Sequence, residues 1–236
     1  MSSSVSRLSK IIRRLESVDI SALCDADKSA GCNSVQVMTN NMKLRTKNIV
    51  EGHQKMIGVA RTVQLSNSED FLAVLRGLHE AEKREVLCVN TMNSSKAVAG
   101  GLFLTEAERK GLRGIIIDGA VRDVRSISES GIQCYSTSVN PYSGSIVHLG
   151  EMQVPIICGG AKVSPGDIVI GDCDGVIVAN IETLENIIDS AENIILKEKE
   201  IIDAMKEGQS LHSLTNYNEH VTALQNGEES ALQFKV

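Results

Sequence analysis

Apolar positions along the chain switch between two spacings, and the switches divide it into elements. Leu8, Ile11, Ile12, Leu15 and Val18 fall on one helical face, which predicts an opening amphipathic helix. Asp19 to Asp27 reads as a second, short helix. Residues 31–56 are polar, Asn-rich and weakly patterned, so a long surface excursion is expected there. Ile57 to Leu65 alternates enough for a strand. Ser66 with Glu69 three residues on has the form of a capping box, and Phe71, Leu75 and Leu78 supply the apolar face of the helix it would start. Val86 to Val89 is the next buried strand, and Asn90 to Lys96 reads as a polar loop.

Gly100-Gly101 then opens a helix that runs to about Lys110, with Gly111 as its stop. In Gly114-Ile-Ile-Ile-Asp118-Gly119-Ala-Val-Arg122-Asp123, three branched apolar residues predict a buried strand, and Asp118-Gly119 predicts the turn that ends it. A helix is expected from about Val121, with Arg122 and Asp123 in its first turn, Val124 and Ile127 facing inward, and Gly131 at its end. Ile132 to Tyr135 reads as a strand and Asn140 to Ser145 as a loop. Residues 154–158 and 168–179 read as β-structure, with turns at Ser164 to Asp167 and Asp172 to Gly175. Leu184, Ile187, Ile188, Ala191, Ile194, Ile195, Ile201, Ile202 and Met205 hold a 3.6-residue period up to Gly208, and the tail 209–236 is polar. This order predicts an α/β fold class: a single layered domain over 1–236, with a mixed sheet rather than a pure Rossmann fold.

Composition narrows the function. The chain has 236 residues, 42% of them hydrophobic, enough for one sizeable core. A net charge of −6 and a pI near 5.4 argue against a nucleic-acid partner. No run of eighteen apolar residues is present, so no membrane partner is expected, and the start lacks the apolar region of a signal peptide. The six cysteines are scattered without a Cys-x-x-Cys pair, which suggests reduced core thiols and a cytoplasmic protein. Only 3% of residues are aromatic, and there is no Trp on which bases or sugars would stack.

No P-loop, His-Glu-x-x-His or Gly-x-Ser-x-Gly motif is present, and the five histidines are isolated. Lys96 and Lys162 lie in or beside loops, without an apolar pocket that would favour a Schiff base. Asp172 and Asp174 read as turn residues ahead of Gly175, with a metal pair as the other reading. Arg122-Asp123 is the stronger candidate. Its structural reading is that Asp118 caps the helix while Asp123 favours the helix N-terminus. Its functional reading is a site for a 2-oxo acid. Asp123 would hold a divalent metal (Mg²⁺ or Mn²⁺) that keeps most of its waters, and Arg122 would pair with the carbonyl oxygen as it becomes an enolate. The N–H groups of Gly100, Gly101, Leu102 and Phe103 would take the carboxylate at a helix start. Metal and arginine together would act as an electron sink when a C–C bond breaks.

Ala99-Gly-Gly-Leu-Phe-Leu-Thr-Glu-Ala-Glu-Arg-Lys-Gly111, followed by Gly114-Ile-Ile-Ile-Asp-Gly-Ala-Val-Arg-Asp-Val124, resembles the core signature of one superfamily. It comprises the 4-hydroxy-4-methyl-2-oxoglutarate aldolases and the regulator of ribonuclease activity A. Cys24-Asp25-Ala26, Gly159 to Asp167 and Gly171 to Val178 extend the likeness over roughly residues 15–205. The resemblance implies a domain of the swivelling β/β/α type and a homo-oligomer, trimer or hexamer, with sites at subunit contacts. It also implies a metal-dependent pyruvate aldolase that decarboxylates oxaloacetate. In those terms Arg122 and Asp123 are the catalytic pair, Asp123 the metal ligand, and Gly100, Gly101, Leu102, Phe103 and Arg122 the substrate contacts. This sequence departs at Gly101, where many such aldolases have an acidic residue, and at Ala99, where a Trp is common. The family's regulators lack the aspartate kept here at 123, so an enzyme is expected, with a non-catalytic regulator of a ribonuclease or other protein as the alternative.

Overall fold

The structure is a computed structural model that describes residues 2–47 and 55–235. It forms two compact units, Met1–Ile188 and Asp189–Val236. In the first unit, helices α1 (Ser2–Leu15) and α2 (Ile20–Ser29) open the chain. Asp19 caps α2 by accepting the Ala22 N–H. Ile11, Leu15 and Val18 are buried, as their spacing requires.

A nine-stranded mixed sheet follows. Its centre is four parallel strands, β3 (Met56–Gln64), β4 (Glu85–Ala99), β5 (Gly114–Val121) and β6 (Gln133–Val139). They are linked by α3 (Leu72–Glu80), α4 (Gly101–Lys110) and α5 (Val124–Ser128), all on one face. Antiparallel strands complete the sheet: β1 (Gln36–Val37), β2 (Lys43–Leu44), β7 (Glu151–Met152), β10 (Ile168–Gly171) and β11 (Val176–Ala179). The hairpin β8 (Ile156–Cys158) with β9 (Ala161–Val163) lies outside the sheet and packs on its other face, against Cys88, Ile116 and Val169. Alternate side chains of β5 feed the two cores, Ile115 and Ile117 on the helix side and Ile116 on the hairpin side. Helix, sheet and hairpin are the three layers of the expected α/β class with a mixed sheet.

Helix α6 (Ile181–Lys206) begins in the first unit with Leu184, Ile187 and Ile188 buried. In the second unit α7 (Tyr217–Gln225) and a bridge between Thr215 and Phe234 order much of the polar tail. Ile202 and Met205, which continue the 3.6-residue period, are exposed. Among the described residues no helix is long and apolar enough to cross a membrane.

Four expectations change. The stretch 31–56 is not a plain excursion: β1 and β2 add to the sheet edges and Met38 and Met42 are buried, while residues 48–54 lie outside the described set. Asn90 to Lys96 is strand, not loop. Its polar residues satisfy a bulged backbone: Met92 N–H donates to Asn90 Oδ1, Ser94 N–H to Thr91 Oγ1, and Thr91 Oγ1 to the Asp118 carbonyl. The Ser66/Glu69 capping box does not form. The chain stays non-helical to Phe71, and Asp70 accepts the Leu72 N–H instead. Leu75 consequently points outward, and Val74 and Leu78 face the core. Finally, Asp118-Gly119 does not turn. Asp118 stays within β5 and accepts the Gly159 N–H at 2.8 Å, and Gly119 is needed because a β-carbon there would collide with Thr91.

Candidate functional site

Parallel neighbours β4 and β5 end at the same level, with Ala99 opposite Val121. The residues that follow, Gly100 and Arg122, are therefore forced together at the carboxyl ends of the strands, where crevices form in such sheets. The Arg122 N–H donates to the Ala99 carbonyl at 3.0 Å, and Asp123 Oδ2 accepts the Gly101 N–H at 3.2 Å. Helix α5 starts only at Val124, so Arg122 and Asp123 precede its first turn rather than lying within it. Asp123 takes the left-handed conformation, φ 57°, which Asp tolerates better than most residues and which turns its carboxylate back to Gly101.

The two corners line one cleft of about 310 Å³, counted to its open mouth. Arg122 and Asp123 lie side by side in it, Nε to Oδ2 3.8 Å, with side chains 43% and 49% exposed. Phe71 and Phe103 make an apolar wall in edge-to-face contact, ring centroids 6.0 Å apart, and Ser143 closes another side. Gly100 is a cradle: a β-carbon on it would stand 2.5 Å from Asp123 Oδ2. At Gly101 a β-carbon would stand 2.5 Å from Ser126 Oγ. The absent acidic residue is thus matched by a serine that fills its space.

Of the N–H groups at this corner, Gly101's is engaged by Asp123 and Phe103's by the Gly100 carbonyl. Leu102, 82% exposed, offers the first-turn N–H that takes no partner among the described residues. Asp123 Oδ1 likewise has no partner among them. A half-exposed carboxylate with one free oxygen suits a hard divalent cation that keeps most of its waters, so the residues present fit the metal that the family resemblance implies.

Sequence reasoning missed the clamp that holds the Ser143 side of the cleft. Asp70, buried, accepts hydrogen bonds from Leu72 N–H, Val147 N–H, His148 N–H and Ser145 Oγ. Burial alone would push its carboxyl up, but these donors outweigh it and hold Asp70 well below the usual carboxylate range. The bonds clamp the segment that carries Ser143 against the start of α3. An Asp in a polar loop gives no sign that it is buried.

The other candidates lie elsewhere. Asp172, Cys173 and Asp174 form the β10–β11 turn, with ligand atoms within 4.8 Å of one another. Asp172 is occupied by the Asp174 and Ile20 N–H groups. Lys96 pairs with Glu69 and Lys162 is exposed on β9. Cys88, Cys134 and Cys158 are core thiols whose pKa burial raises, Cys134 to about 12, whereas Cys32 and Cys173 are exposed.

Residues 20–178 match the family described as RraA-like, Aldolase/RraA. An uncharacterized protein of Methanocaldococcus jannaschii is 33% identical over 204 residues, 86% of this chain and 92% of its own. A protein of Halalkalibacterium halodurans with a provisional 4-hydroxy-4-methyl-2-oxoglutarate aldolase name is 33% identical over 156 residues, 66% of this chain and 71% of its own. Among solved structures, RraAS2 of Streptomyces coelicolor, an unusual member of the RNase ES inhibitor RraA family, is 26% identical with a TM-score of 0.69, covering 80% of this chain and 94% of that one.

Proposed function

This chain belongs to the RraA-like, Aldolase/RraA family, and from that premise we propose that it is a divalent-metal-dependent lyase cleaving a pyruvate-derived 2-oxo acid. The reactions are retro-aldol cleavage of 4-hydroxy-4-methyl-2-oxoglutarate-type acids and decarboxylation of oxaloacetate. The observation that carries the reading is the junction of the two corners, Asp123 Oδ2 on the Gly101 N–H beside Arg122. A structural aspartate at a short helix would not need a neighbouring guanidinium, two facing glycines and an open cleft.

The Leu102 N–H, at the positive end of α4, receives the substrate carboxylate. Phe71 and Phe103 exclude water from one side of the carbon chain. Arg122 donates to the 2-oxo oxygen and holds the negative charge that grows there. Asp123 would hold the cation, Mg²⁺ or Mn²⁺, which when bound supplies a Lewis acid for the same oxygen. As the C3–C4 bond breaks, its electron pair enters the enolate. In retro-aldol cleavage the C4 hydroxyl proton leaves as C4 becomes a carbonyl, in oxaloacetate decarboxylation C4 leaves as carbon dioxide, and in both C3 later gains a proton. The cleft lining holds no His, Lys or Glu among the described residues, so water carries both protons.

Exposed Leu102, Tyr142, Ile146, Val147 and Leu149 lie on or next to segments that line the cleft, which supports a homo-oligomer with its sites at subunit contacts. A second reading, a non-catalytic regulator of a ribonuclease, draws on the likeness to RraAS2. Pyruvate release from oxaloacetate and from 4-hydroxy-4-methyl-2-oxoglutarate, with Mg²⁺ and then with EDTA, separates the two. Turnover that EDTA stops, and that falls at least about 100-fold in both Arg122→Ala and Asp123→Ala, is expected. Near-normal turnover in either variant removes the proposed site, and no turnover on either acid favours the regulator.

A further inference from the structure

The arginines of this chain divide unevenly. Most have a side-chain or backbone partner: Arg61 grips Glu85, for example, and Arg45 grips Ser136. The guanidinium groups of Arg13, Arg84 and Arg113 have none among the described residues, and all three line a single cavity of about 720 Å³ counted to its mouth. They come from three separate elements: the last turn of α1, the turn before β4, and the turn before β5. On a protein of net charge −6, these three cluster around one hollow, Arg13 and Arg84 exposed and Arg113 half-buried.

The backbone under them is fixed. The Arg84 N–H donates to the Gly111 carbonyl and the Arg113 N–H to the Glu85 carbonyl, both at 2.8 Å, which clasps the two turns together. Arg84 takes φ 70°, a left-handed conformation that an arginine adopts only when its surroundings impose it. Gly58 of β3 leaves room for the clasp, because a β-carbon there would meet the Arg84 carbonyl at 2.5 Å. Among the described residues the lining has one carboxylate, Glu16. Glu85, the nearest acidic residue in sequence to Arg84 on β4, is committed to Arg61 and to the Glu82 N–H. Among the described residues the cavity therefore sets three positive charges against one negative.

We propose that this cavity binds a small polyanion, a molecule with two or more phosphate or carboxylate groups. Guanidinium groups bind such oxygens in pairs of parallel hydrogen bonds. Three of them on a clasped platform demand more than one anionic group, since a single charge would leave the lining still positive. The site is separate from the cleft: Arg84 and Arg113 precede β4 and β5, whereas Gly100 and Arg122 follow them. An eight-residue strand such as β5 spans roughly 25 Å.

The test is isothermal titration calorimetry of the full chain without divalent metal, at fixed ionic strength. Pyrophosphate serves in one arm, citrate in a second, and acetate as a singly charged control. Saturable binding of pyrophosphate or citrate but not acetate is expected, and the arm that binds tells phosphate chemistry from carboxylate. Affinity should fall at least about tenfold in Arg13→Gln and in Arg84→Asn, Asn being chosen because it tolerates the left-handed backbone. Melting temperatures show that both variants fold, and Arg122→Ala should bind as the parent does. Absence of saturation in both arms overturns the proposal. So does affinity unchanged in both arginine variants, or binding lost in Arg122→Ala, which would seat the anion in the cleft.

Discussion

The two ends of β4 and β5 are built from the same strands and differ in kind. At the carboxyl ends, Arg122 lies beside Asp123, charges nearly cancel, and the proposed chemistry draws on glycines, the Leu102 N–H that is free among the described residues and a carboxylate oxygen. At the amino ends, three guanidinium groups stand without partners among the described residues and the backbone is clasped. The first end suits a reaction in which charge develops and moves, because a balanced site can stabilise a new charge without holding its substrate too tightly. The second suits holding an anion and nothing more. In an acidic protein the location of unpaired charge says more than its total.

Substitution at Gly100 would break the contrast most strongly. Gly100→Ala forces a β-carbon onto Asp123 Oδ2, so the carboxylate must leave the Gly101 N–H. Turnover of oxaloacetate should fall on the order of 100-fold with the melting temperature nearly unchanged. Activity close to the parent's would mean that Asp123 needs no such placement.

A smaller effect is expected at the clamp beside the cleft. Asp70→Asn removes the charge that four donors share and should cost about 2–3 kcal/mol in urea unfolding at pH 7. Because the folded pKa of Asp70 is lowered, its contribution is present above the ordinary carboxylate range and is lost as the pH falls through and below it. The gap between parent and variant should therefore narrow from about pH 5 downward; a gap that stays constant to pH 3 contradicts the role given to the charge.

The smallest change sharpens the other end. Arg84→Gly relieves a left-handed arginine and should raise stability by up to about 1 kcal/mol, read as a higher melting temperature, while it weakens polyanion binding. A stability loss instead would show that the guanidinium supports the fold rather than a ligand.

The sequence by itself determined the layers and the motifs of the candidate corner. Ile115, Ile116 and Ile117 had to be a buried strand and Gly111 had to stop a helix, while Gly100-Gly101 and Arg122-Asp123 were each legible as a local motif that only the aligned ends of β4 and β5 bring together. The same local reading failed at Asp118-Gly119 and at Asn90 to Lys96. There, Gly159 and Thr91 supply partners that turn propensity cannot see. Only the tertiary structure decided that Asp70 is buried, that Ser126 fills the space at Gly101, and that Arg13, Arg84 and Arg113 share one hollow. The reason is distance along the chain. Periodicity and capping report interactions within a few residues, whereas a site assembled from residues 13, 84 and 113 exists only once parallel strands align their ends.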